Sequence, residues 1–195
     1  MRGKWALGIP PRHFTWVLKN KIAICERPGG YGTNHRRVRR QEEIIWIREQ
    51  RFNCVISLSP LPHNLHNYDE LGVAWRHRPF NGADDGADYL HALFEETRRF
   101  VQANHKLIVH REELGDHVIG FMAGYLLWTG LVPSGPQVTT IIEHITQRQL
   151  GPTGREIVTL AGGLRVTRPP AEPSVEGSLA DAHGQALPSV NGEAS

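Results

Sequence analysis

Hydrophobic and polar positions change period several times along this chain, and each change marks a predicted element. Phe14 to Leu18 and Ile22 to Cys25 are short apolar runs on either side of Lys19-Asn20-Lys21, the pattern of two strands joined by a turn. Asn34 is expected to cap a helix running from His35 to about Gln50, with Val38, Ile44, Ile45 and Ile47 as its apolar stripe. Asn53 to Leu58 is an apolar run stopped by Pro60 and Pro62, which predicts a buried strand. Val73 to Pro79 fits a further strand ending at a proline, and Leu107 to Val109 fits another buried one. Between them, Asn81 to Gly86 is dense in turn residues and is expected to cap a helix from Ala87 to Asn104. Val118 to Trp128 is apolar almost all round, so it predicts a core helix, with Gly130 ending it. Ser134 and Pro136 open a helix to about Gln149, and a short helix near Arg155 to Ala161 closes the series. Strands separated by helices in this order predict an α/β domain, a central sheet flanked by helices.

Composition sets the boundaries. From Arg168 onward, the four prolines Pro169, Pro170, Pro173 and Pro188 among small and polar residues leave little to bury, so residues 163–195 are expected to form a disordered tail. Residues 1–13 read as an N-terminal extension without the sustained apolar stretch of a secretory signal, and residues 14–162 as the folded domain. No apolar run approaches the ~18 residues needed to span a bilayer. A formal net charge of +2 announces neither a nucleic-acid nor a membrane surface. Cys25 and Cys54 lie inside apolar strand-like runs and are expected to be buried free thiols, which suits a reducing cytoplasm.

Candidate chemistry concentrates in one segment. Leu107-Ile-Val-His110 is a strand, Arg111-Glu112-Glu113-Leu114-Gly115-Asp116-His117 a tight loop, and Val118 onward the core helix. Strand, loop and buried helix in this order resemble the active-site segment of the dual-specificity and protein tyrosine phosphatase superfamily. That family writes the segment as His-Cys, five residues, then Arg. The resemblance extends to Glu43–Leu58, similar to the family's helix running into a strand, and to Val73–Asp85, similar to its strand and general-acid loop. It spans about residues 14 to 161.

The resemblance implies a dual-specificity phosphatase-like fold, and a role for each site position. Arg111 stands where the family has its cysteine nucleophile, and His117 where it has its phosphate-clamping arginine. Asp84 or Asp85 stands at the general-acid position. A guanidinium has no nucleophilic lone pair, and an imidazole cannot offer a planar two-pronged clamp. Three carboxylates against one guanidinium give the loop a formal charge of −2. At ~6 Å and an effective dielectric near 20, one such carboxylate repels a phosphate charge by about 3 kcal/mol. These residues point to a pseudophosphatase, a phosphatase-like domain that binds a partner without catalysis.

The other constellations carry less. Asp84 and Asp85 also fit a turn and helix cap, and Asp116 with His117 also fits the first turn of a helix. A hydrolase rebuilt around Asp116 and His117, with an Asp-polarised histidine as base, is the alternative. The histidines, among them His63, His66, His77, His91 and His105, lack a carboxylate or cysteine framework, so neither a metal nor another cofactor is expected. Arg36, Arg37 and Arg40 lack obvious helical partners and are the expected contact for a protein partner, acidic or phosphorylated. Gly29, Gly30 and Gly32 form a loop that would border the site. The composition, rich in Arg, Gly, Ala and Pro and poor in Lys, is of a bacterial kind and suits a signalling partner.

Overall fold

The computed structural model describes residues 7–30 and 36–166. The Asn34 cap, the tail from residue 167, the first six residues and the side chain of Arg36 lie outside the described residues. Five strands form one sheet: β1 Thr15–Leu18, β2 Ile22–Glu26, β3 Cys54–Ser57, β4 Trp75–His77 and β5 Leu107–Arg111. Their order is β1-β2-β5-β3-β4, with β1 antiparallel to β2 and every other pair parallel. The helices are α1 Arg36–Glu49, α2 His66–Glu70, α3 Ala87–Gln102, α4 Asp116–Trp128, α5 Gly135–Thr146 and α6 Pro152–Val166.

Strand alternation sorts the core into two layers. Ile22, Ile24, Cys54, Ile56, Leu107 and Val109 face one cluster with α3, α4, α5 and α6. Ala23, Cys25, Val55 and Ile108 face the other, with α1 and α2. The parallel strands are covered on both sides, which is why they read as unbroken apolar runs. Within the first layer, α4 and α6 pack backbone to backbone. A Cβ on Gly120 would lie 2.6 Å from Gly154 Cα, so side chains larger than hydrogen are excluded there.

The expected elements are present, with four corrections. Val38 is 65% exposed, because α1 turns Ile44 and Ile47 toward the sheet and Val38 lies about 120° from the first and about 180° from the second around the helix. The short helix α2 interrupts a stretch of prolines, histidines and asparagines that shows no period. The loop aspartates do not cap α3: Gly86, at φ +88°, holds the N-cap position, and no side chain bonds there. The closing helix is longer than expected and carries regular structure past residue 162 to Val166. Ser134 does cap α5, its hydroxyl accepting from the Gln137 N–H at 3.4 Å. Among the described residues, no helix is long and apolar enough to cross a membrane.

Candidate functional site

β5 is the centre of the sheet, and the loop of residues 112–115 leaves its carboxyl end to enter α4, the place where α/β sheets bind ligands. The loop is anchored from several sides. Leu114 is 1% exposed and packs into the α4 layer, while its carbonyl accepts from Arg148 Nη1 at 2.9 Å. The Arg111 carbonyl accepts from the Arg27 N–H at 2.7 Å, and the His110 carbonyl from the Leu58 N–H at 2.8 Å. The N–H groups of Glu112, Glu113 and Leu114 meet no acceptor among the described residues. Arg111, Glu112, Glu113, Gly115, Asp116 and His117 line a cavity of about 490 Å³. A second cavity of about 900 Å³, lined by Pro133, Pro136, Val158 and Arg165 among others, shares no residue with the loop.

Arg111, at the head of this loop, is largely covered and holds Glu112, Nε to Oε2 3.6 Å. Arg27 approaches the other oxygen of Glu112 at 4.0 Å. One carboxylate thus bridges two guanidiniums at the cavity edge. His117, at the far end, is half-buried. Burial and then the Arg111 charge pull its pKa below the ordinary histidine value, opposed by a hydrogen bond to the Asn81 backbone and by Asp116 and Asp85. Its ring lies against the Asn81–Gly82 segment, 3.7 Å from where a Cβ on Gly82 would be.

Asp116 follows His117 into no relay. Its two oxygens accept from the Gly151 N–H at 2.9 Å and the Gly154 N–H at 3.4 Å. The carboxylate therefore caps the first turn of α6 across the domain, which also accounts for that helix starting earlier than its sequence suggests. Asp85 is equally occupied: it accepts from the Asn81 N–H at 2.6 Å and the Asn81 side-chain amide at 3.2 Å, closing its own turn. Asp84 is exposed.

Beneath the loop, His110 is fully buried, facing the α1–α2 layer. Its Nε2 lies 3.0 Å from the Tyr68 hydroxyl. Burial, followed by the charges of Arg27 and His77, lowers its pKa to about 3, so it is neutral. Burial likewise holds the Tyr68 phenol well above its usual range, so the hydroxyl keeps its proton. His110 Nδ1 has no partner among the described residues. Tyr68 is the site residue that sequence reading missed. It lies 42 positions from His110, and the only signal was an aromatic within a polar stretch.

The two cysteines sit elsewhere. Cys25 is paired beside His110 in β2, fully buried, its thiol pushed well above the usual range by burial and by Glu43. Cys54 begins β3 opposite Leu107, at the far end of the strand from the loop, and burial raises it to about 11. Neither supplies a thiolate to the cavity.

No family model matches the sequence, and no curated protein matches it either. Solved structures do. Kinase-associated phosphatase, with its catalytic-site cysteine replaced by serine, superposes with a TM-score of 0.66 at 17% identity, covering 81% of this chain and 98% of that one. The active form of Tk-PTP gives 0.63 at 14% identity, covering 80% and 98%. Human DUSP28 gives 0.56 at 14% identity, covering 80% and 96%. The chain therefore has the fold of the dual-specificity and protein tyrosine phosphatases.

Proposed function

We propose that this chain is a pseudophosphatase, a phosphatase-like domain that binds a protein partner and does not turn over phosphoesters. The observation carrying this reading is the side chain at the head of the loop. Where a nucleophile would face the cavity, Arg111 lies against Glu112 and cannot attack phosphorus. Of the groups that would rebuild a hydrolase, Asp116 is bonded to α6 and Asp85 to its own turn. The partner is an acidic or phosphorylated protein of a cytoplasmic signalling system, met at the loop mouth and the arginine face of α1.

Purified full-length protein is expected to release no phosphate from an aryl phosphate or from phosphopeptides. Turnover that disappears in His117→Ala would establish the rebuilt hydrolase instead. The double variant Arg111→Cys, His117→Arg is also expected to stay inactive, because Glu112 and Glu113 each still repel every charge of the dianion by about 3 kcal/mol before solvent screening. Robust hydrolysis by that variant would show that loop charge is no barrier.

A further inference from the structure

Arg40 does not lie open on the helix face. Its Nη1 donates to Asn67 Oδ1 of α2 at 3.2 Å, while Nε is buried with no acceptor among the described residues. Burial comes first, then Arg27, among the causes that lower its pKa below the usual arginine value, with Arg37 adding to them. The nearby acids are taken. Glu43 accepts from Arg39 Nε and from the Gly29 N–H, both at 2.7 Å, and Glu70 accepts from the Asn67 amide at 2.9 Å. Arg27 shares its one carboxylate, Glu112, with Arg111. Arg37 lies one helical turn before Arg40, and neither enters an ion pair among the described residues, while Arg27 and Arg111 share Glu112.

Like charges gathered this way oppose folding, so the fold alone gives them no reason to be together. Their chemistry suits a phosphate monoester: guanidinium forks bind two oxygens each, and a dianion offsets several cations at once. Arg37 is exposed, and the next residue, Val38, is 65% exposed, so the cluster borders apolar surface that a free phosphate would leave uncovered.

We propose that Arg27, Arg37 and Arg40 form a binding site for a phosphorylated side chain of a partner protein, beside the loop rather than inside it. The proposal rests on the partner-binding reading above and names that partner's chemistry. Arg27 ties the site to the loop, since its N–H donates to the Arg111 carbonyl.

Titration calorimetry and thermal unfolding of the full chain test it, using inorganic phosphate, phenyl phosphate, and a phosphoserine peptide with leucine beside the phosphoserine. The unphosphorylated peptide and sodium chloride at equal ionic strength are the controls. Phosphate is expected to raise Tm beyond chloride, and the phosphopeptide to bind tighter than phosphate. Arg40→Met is expected to weaken both about tenfold or more, the worth of a charge-assisted bond pair, without lowering Tm. Arg37→Ala, at an exposed position, is expected to weaken the phosphopeptide about threefold. Arg111→Ala is expected to retain binding.

Loss of binding in Arg111→Ala with retention in Arg40→Met and Arg37→Ala would put the anion in the loop and overturn the proposal. Equal stabilisation by chloride, or binding of free phosphate but not of the peptide, would overturn it too. Failure of the non-catalytic reading would show separately, as phosphate released from phenyl phosphate during the titration.

Discussion

Acidification from pH 6.5 to 3 is expected to remove up to about 5 kcal/mol of stability through His110 alone, at about 1.4 kcal/mol per pH unit. The folded pKa of this residue is depressed to about 3 by burial and then by Arg27 and His77, whereas the unfolded chain titrates near 6.5. Between these values the unfolded state binds a proton that the folded state refuses. The stabilisation is therefore complete above pH 6.5 and is lost as the pH falls toward 3. Urea denaturation at pH 7, 5.5 and 4.5, comparing wild type with His110→Gln, isolates the effect because the carboxylates are common to both. By pH 4.5 the wild type should have lost roughly 2–3 kcal/mol more than the variant. Parallel pH profiles would mean that His110 is protonated or solvated in the folded state, and the buried pair with Tyr68 would have to be abandoned.

Truncating Phe94 to alanine is expected to cost about 4 kcal/mol, the range found when a buried aromatic leaves a cavity. Phe94 is wholly buried and meets the rings of Phe121, Tyr125 and Trp128 at 5.3, 5.9 and 5.5 Å between centroids. Its outer ring carbon also sits 3.0 Å from where a Cβ on Gly124 would be, so it fills the space that glycine leaves. Alanine there removes a ring cluster joining α3 to α4, and α4 cannot shift toward α6 to relax while Gly120 is already against Gly154. A domain of this size should lose roughly 8–16 °C in Tm. Leu131→Ala, at a position 60% exposed, should shift stability by less than about 0.5 kcal/mol. A cost below about 1.5 kcal/mol for Phe94→Ala would show that the aromatic cluster repacks, against the close fit described above.

Different parts of the molecule were legible to different degrees. The strands could be read because a parallel sheet covered on both faces demands unbroken apolar runs, as in Leu107–Val109. The helix α4 could be read because a helix buried all round shows no polar stripe. Helix α2 was not legible: five residues of mixed polarity have no period, and its place depends on Tyr68 reaching His110. The side chains of Asp85 and Asp116 were open between catalytic, capping and turn roles, since an aspartate beside a helix start looks the same in each. Packing decided them. Asp116 caps a helix that begins 36 positions later, beyond the reach of any local pattern. Arg40 was legible as a cation without a helical partner, but not as one bonded to Asn67 of α2.

The sequence by itself determined the order of the strands and of every helix but α2, and that Arg111 and His117 stand at the two ends of the loop. Those properties follow from local periods and from residue identity. Only the tertiary structure decided that Asp116 is held by α6, that Tyr68 meets His110 beneath the loop, and that Arg27 and Arg111 share the Glu112 carboxylate. Each of these depends on distances between segments far apart in the chain, and such distances are set by how the two core layers close around the sheet.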